Sequence, residues 1–217
     1  MQHAASAAEL LHTAAAVRHL TVADPVLGAF MARHELACGP CKLSPRRVTS
    51  LFHPLSGSII YQQLSGRAAA TIHDRFLRLF PQRRASAARL LALPDDALRA
   101  AGLSHNKVLA LQDLSRKIRS RQLPAVAQLQ QMDDQQLIAA LTQVRGIGVW
   151  TVQMFLLFWL HRADVLPVDD LGIRKGLMLL DEMPQMPTPK QVAERGRCWQ
   201  PWCSLASWYL WRRTEMQ

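Results

Sequence analysis

The chain predicts an all-α fold, and three observations carry that expectation. Apolar residues recur at helical spacing along most of the length, and strand-type alternation is sustained nowhere. The prolines at 54, 81, 94, 124, 167, 184, 187 and 189 fall between the periodic segments or in the first turn of one, where proline is tolerated. With 217 residues, 49% of them hydrophobic, the chain can bury one good core or two small lobes.

In chain order, Met1–Leu20 is Ala-rich and carries Glu9 and histidines where a signal peptide would carry a basic region, so a poorly anchored helix or tail is expected. Helices are then expected around Pro25–His34, Arg47–Phe52, Leu55–Phe80, Ala85–Leu91, Asp95–Ala101, His105–Ser120 and Pro124–Gln131. The next, Asp134–Gln143, has Asp133 as N-cap with Gln136 three residues on, followed by Leu137, Ile138, Leu141 and Val144 at helical spacing. Gly146 and Gly148 break it. Val149–Leu160 follows, apolar nearly all round and so expected to be buried, yet too short to span a membrane. Leu171–Leu180, Pro189–Arg197 and Pro201–Thr214 complete the order.

Gly146-Ile147-Gly148 is the most informative turn. Glycine takes positive φ and lets another backbone approach, so this hairpin can aim N–H groups outward at the start of a helix, where the dipole favours a phosphate. A dinucleotide-binding reading fails, because a helix precedes the glycines and the third glycine is missing. About twenty residues later the extended Leu166-Pro-Val delivers Asp169 and Asp170 to the start of the next helix, with Asp170 in N-cap position.

A net charge of +10 favours a polyanionic partner, with basic residues concentrated around Arg46-Arg47, Arg67, Arg75 to Arg84, Arg116 to Arg121 and Arg212-Arg213. Charge alone does not separate DNA from RNA or an anionic membrane. Cys38-Gly-Pro-Cys41 has dithiol spacing, but a helical stretch precedes it and no parallel-sheet pattern follows. Cys198 and Cys203 match a four-thiolate zinc site only loosely, and an iron–sulfur cluster would need four clustered cysteines where two occur. Buried or half-buried thiols in a reducing cytosol are the expectation; a thiol redox or zinc protein built on Cys38 and Cys41 is the weaker alternative.

Leu141 to Gly172 resembles the helix-hairpin-helix and Gly/Pro-Asp region of the base-excision DNA glycosylases. The flanks resemble the 3-methyladenine DNA glycosylase II (alkylbase) branch: Ser56-Gly-Ser-Ile-Ile-Tyr-Gln-Gln-Leu-Ser-Gly66, Gly102-Leu-Ser-His-Asn-Lys-Val108, and Trp199 to Arg212. The likeness runs from about Asp24 to Arg212 in four blocks in the expected order. It implies two helical lobes with a DNA-binding cleft between them, one approximately 1–50 plus 166–217 and the other approximately 51–165 with the hairpin at 133–160. It also implies no N-terminal sheet domain.

What the resemblance implies for chemistry is hydrolysis of an N-glycosidic bond on a flipped-out alkylated purine in double-stranded DNA. The sugar gains oxocarbenium character, which an ionised Asp can stabilise while orienting the attacking water. The family motif puts that role on Asp170, with Asp169 its competitor. Bifunctional relatives have a Schiff-base lysine just after the second hairpin glycine; Val149-Trp150-Thr151 stands here, so no lyase activity is expected. Trp150 is expected to line the base pocket with Trp202 and Met154, whereas Trp199, Trp208 and Trp211 read as core. Met154 replaces an aromatic of some relatives and Cys203 replaces a usual Arg.

Gln63 is the expected plug for the emptied stack, with Leu64 the alternative, and Ser104 or His105 the minor-groove contact. Gly146, Gly148, Val149 and Thr151 are the expected backbone contacts. Carbonyls near Thr142, Val144 and Ile147 are the expected seat of a structural monovalent or magnesium cation, with no organic cofactor and no iron–sulfur cluster. A cytoplasmic monomer without membrane attachment is expected. A non-catalytic helix-hairpin-helix protein that recognises DNA shape is the other alternative.

Overall fold

A computed structural model describes residues 13–39 and 48–216. Every regular element among them is helical, and no described helix is long and apolar enough to cross a membrane. The chain divides into two units: Met1–Arg46 with Leu156–Gln217, and Arg47–Phe155.

The first unit begins with α1, Ala14–Ala23, where Thr13 Oγ1 accepts from Ala16 N at 3.0 Å. Ala16 and Leu20 are fully buried. Of the stretch expected as a poorly anchored helix or tail, residues 1–12 lie outside the described residues, and the rest is a helix that is capped and packed on its neighbours, which corrects the poor anchoring. Asp24 ends α1 and starts α2, Pro25–Cys38, accepting from Leu27 N at 3.0 Å. Past the second unit come α10, Leu171–Leu180; α11, Pro189–Arg195, which runs into a 3₁₀ turn at Gly196–Trp199; and α12, Cys203–Glu215. Helices α10 and α12 form the most extensive packing, with backbones so near that a Cβ on Gly176 would sit 2.1 Å from the Leu210 carbonyl.

Three ties join the early and late segments of this unit. Trp199, fully buried, donates its Nε1 to Asp24 Oδ2 at 2.7 Å. Arg195 bridges Asp24 and Asp181 at 2.7 and 2.8 Å, so the nearly inaccessible Asp24 carboxylate is paired and hydrogen-bonded, as a buried charge must be. Tyr209 donates its hydroxyl to Glu35.

The second unit holds α3, Phe52–Tyr61; α4, Gly66–Arg78; α5, Ala87–Leu91; α6, Asp95–Ala100; α7, His105–Arg119; α8, Asp134–Leu141; and the first part of α9, Val149–Phe158. The stretch read as one helix over Leu55–Phe80 is therefore two. Its break at residues 62–65 holds Gln63 at φ 55, and Ser65 caps α4. Phe52 opens α3, so the helix expected at Arg47–Phe52 is not formed in its described part. Pro124–Gln131 shrinks to a 3₁₀ turn at Val126–Gln128.

Candidate active site and nucleic-acid interface

The hairpin is built as its cap signals require. Asp133 Oδ1 accepts from Gln136 N at 2.7 Å and Gln136 Oε1 from Asp133 N at 3.0 Å, which starts α8. Leu141, Val144 and Ile147 are buried and anchor the turn, while Arg145, Gly146, Gly148, Val149 and Trp150 are exposed. Gly146 has φ 76, a conformation that suits glycine. Gly148 has no positive φ and answers instead to close approach, since nothing lies within 4 Å of where its Cβ would be, leaving room for an approaching chain. The bond from Val152 N to Gly148 O at 3.2 Å opens the ladder of α9, so the amides before it lie at the positive end of the helix. Val149 and Trp150 are 48% and 44% exposed, whereas Thr151 is buried and Met154 half-buried.

Side chains outside the hairpin hold it. Gln62 Nε2 donates to Gly146 O at 2.8 Å and to Thr151 Oγ1 at 3.4 Å. Asp113 Oδ2 accepts from Arg145 N at 2.8 Å and from Lys117 Nζ at 2.7 Å. Burial alone would raise the Asp113 pKa, but the Arg145 amide and the Lys117 ammonium outweigh it and hold the carboxyl below its ordinary range. The expected plug residues Gln63 and Leu64 are exposed on the α3–α4 turn. Ser104 caps α7 through Lys107 N at 3.4 Å, and His105 is exposed as the first residue of that helix. Carbonyls of Thr142, Val144 and Ile147 belong to one turn, with Val144 O accepting from Ile147 N at 3.0 Å. This unit carries fourteen Lys and Arg against six Asp and no Glu, so most of the net positive charge sits on the unit with the hairpin.

In the first unit Asp170 is fixed from two sides. Its Oδ1 accepts from Ile173 N at 2.8 Å, making it the N-cap of α10, and from Trp211 Nε1 at 2.9 Å. Asp169 is exposed. Trp211 stacks on Phe158, with ring centroids 5.7 Å apart and planes at 24°. Gly172 leaves space for this bond, since a Cβ there would lie 2.7 Å from Trp211 Cδ1 and 3.0 Å from Asp170 Oδ1. Trp211 was expected in the core and is instead half-buried against the candidate catalytic carboxylate; Trp202, expected beside the base, stands half-buried at the start of α12 with its N donating to Trp199 O at 2.7 Å. Trp199 and Trp208 are buried as expected.

The thiols sit apart from this arrangement. Cys38 is exposed at the end of α2, and Cys41 lies outside the described residues. Cys203 is buried, and desolvation first, then the nearby Asp164, pushes its pKa up, so it is kept as a neutral thiol. Trp211, Lys107, Asp113 and Gln62 are the residues beside the candidate site that sequence reading did not single out; each is bonded to a partner distant in the chain.

The geometry defines an all-helical protein with a helix-hairpin-helix and a capped aspartate after it. Residues 56–201 match the HhH-GPD superfamily of base excision DNA repair proteins, and the chain belongs to that family. It is 32% identical over 170 residues to DNA-3-methyladenine glycosylase 1 of Schizosaccharomyces pombe, covering 76% of this chain and 73% of that one. A structure of the 3-methyladenine DNA glycosylase from the same yeast, in complex with abasic DNA, superposes with a TM-score of 0.81 at 29% identity, covering 93% of this chain and 97% of that one. A DNA-3-methyladenine glycosidase structure from Bacillus halodurans gives 0.82 at 29% identity, covering 94% and 91%.

Proposed function

We propose that the protein is a monofunctional DNA glycosylase that removes alkylated purines, of the 3-methyladenine and 7-methylguanine kind, from double-stranded DNA and leaves the abasic site uncut. The observation that carries this reading is Asp170, held at a helix N-terminus by Ile173 N and Trp211 Nε1 on one oxygen. The names of its relatives support the substrate class.

In this reading the hairpin amides receive a backbone phosphate, and Gln63 or Leu64 enters the stack as the damaged base leaves it. An alkylated purine is cationic, and aromatic faces such as Trp150 attract it by about 0.5–2 kcal/mol. The bond between C1′ and the base nitrogen breaks with its electron pair going to the base, which departs neutral. Asp170 stabilises the positive charge left on the sugar, a water adds its oxygen to C1′, and its proton passes to Asp170 or solvent. The two bonds on Oδ1 hold the carboxylate in one orientation. The Thr142, Val144 and Ile147 carbonyls would hold a hard cation, which would supply positive charge beside the phosphate.

The monofunctional assignment rests on Val149, Trp150 and Thr151 after Gly148, none of which carries an amine. Both lysines of the second unit are engaged, Lys107 by two carbonyls and Lys117 by Asp113. The test is base release from methylated duplex by wild type, Asp170→Asn and Asp169→Asn. Asp170→Asn is expected to abolish release while keeping tight binding to abasic DNA, because the amide keeps the shape and loses the charge. Release by Asp170→Asn at the wild-type rate overturns the assignment, and an inert wild type that binds bent DNA tightly favours shape recognition.

A further inference from the structure

We infer that one face of α7 is a positioning device that makes the hairpin and the α3–α4 turn a single rigid platform, with Gln62 and Lys107 as the positioning residues. The inference rests on the proposed entry of Gln63 or Leu64 into the stack. Lys107, Ala110 and Asp113 are spaced i, i+3, i+6 and so share that face. Lys107 Nζ donates to Ile60 O at 2.7 Å and to Gln62 O at 2.9 Å, the carbonyls at the end of α3. One turn on, Ala110 Cβ lies 3.5 Å from where a Gly146 Cβ would be. A further turn on, Asp113 holds the Arg145 amide. Gln62 closes the circuit, because its carbonyl is held by Lys107 while its side chain holds the Gly146 carbonyl.

The expense of this arrangement argues for a purpose beyond packing. Burial lowers the Lys107 pKa, so its ammonium gives up part of its hydration for the sake of two carbonyls. Those carbonyls frame Gln63, whose φ of 55 persists in a non-glycine residue only where its surroundings over-determine it. Unstacking a base requires work, and a compliant turn would yield instead of transmitting it. With the turn clamped to the hairpin, docking of a phosphate at Gly146–Gly148 sets the depth and angle at which Gln63 and Leu64 arrive.

The test is a double-mutant cycle on methylated duplex, with Lys107→Met and Gln62→Leu each placed on wild type and on Gln63→Ala/Leu64→Ala. Readouts are the single-turnover release rate, fluorescence of a 2-aminopurine beside the lesion, and Kd for undamaged duplex. Each variant alone is expected to lower the rate and the fluorescence rise about tenfold. Kd for undamaged duplex should stay within twofold, with no further loss in the truncated background; Lys107→Arg should recover part of the rate. Gln62→Leu keeps both Lys107 bonds, which go to backbone carbonyls, so it reports even where Lys107→Met unfolds. Losses that multiply in full with the truncation, or that appear equally in Kd for undamaged duplex, overturn the tie alone. Wild-type rate and fluorescence in the truncation itself remove the reading of Gln63 and Leu64, and the tie with it.

Discussion

Replacing Trp211 by Phe isolates one hydrogen bond at the candidate catalytic carboxylate. The variant keeps a flat ring on Phe158 and deletes the donor that stands 2.9 Å from Asp170 Oδ1. A hydrogen bond to a charged group contributes about 1.5–3 kcal/mol, and each ~1.4 kcal/mol on the barrier is tenfold in rate. Ile173 N still holds the same oxygen at 2.8 Å, so the carboxylate stays restrained and the lower half of that range applies. Single-turnover release of methylated purines should slow about 10- to 40-fold, with affinity for abasic DNA nearly unchanged and the thermal unfolding temperature lowered by only about 3–9 °C. Gly172→Ala reaches the same bond from the other side, since its methyl group would press on both partners, and should reproduce the loss. A folded Trp211→Phe protein with a rate within twofold of wild type would refute the reasoning and return Trp211 to a packing role.

The two hairpin glycines should respond differently. Gly146→Ala forces a side chain into φ 76 and should lower stability by about 1–2 kcal/mol in thermal unfolding. Gly148→Asp has open space and should fold normally while weakening binding to every duplex sequence alike; normal binding would make the hairpin a core turn. Borohydride added during turnover should trap no covalent protein–DNA adduct, and a strong trapped band would reveal an amine that attacks the sugar. The depressed Asp113 carboxyl contributes stability that is fully present above its ordinary pKa of 3.8 and lost as pH falls through its folded value. Asp113→Asn should therefore destabilise at pH 7 by urea unfolding, with the gap to wild type closing below about pH 4; a gap constant with pH would show that charge is not what holds Arg145.

Elements whose boundaries are written in local chemistry were legible from residues alone. Asp133 with Gln136, and Asp170 before an apolar helix, predict the caps that form, and Leu171–Leu180 is found as expected. The break at residues 62–65 escaped because the periodic pattern continues across it; Ser65 before Gly66 was the one local sign of a second start. Its conformation depends on Lys107, 45 residues from Gln62, and no spacing rule reaches that far. Trp211 escaped for the same reason: its partner lies 41 residues away, and a tryptophan on an apolar helix reads as core until its N–H is seen to be engaged.

The second unit is continuous in the chain, whereas the first is assembled from two segments separated by more than a hundred residues. The ties Trp199 to Asp24 and Tyr209 to Glu35 close loops of 175 and 174 residues. During synthesis the hairpin unit can therefore fold as soon as Phe155 clears the ribosome, since domains fold as units in the order they emerge. The partner unit must wait for its last helix, and Trp211 is among the final residues to arrive. On the proposed roles of the hairpin and of Asp170, a nascent or prematurely terminated chain would gain its phosphate grip before Trp211 arrived to orient the carboxylate, and hydrolysis would be the last property the growing polypeptide acquired.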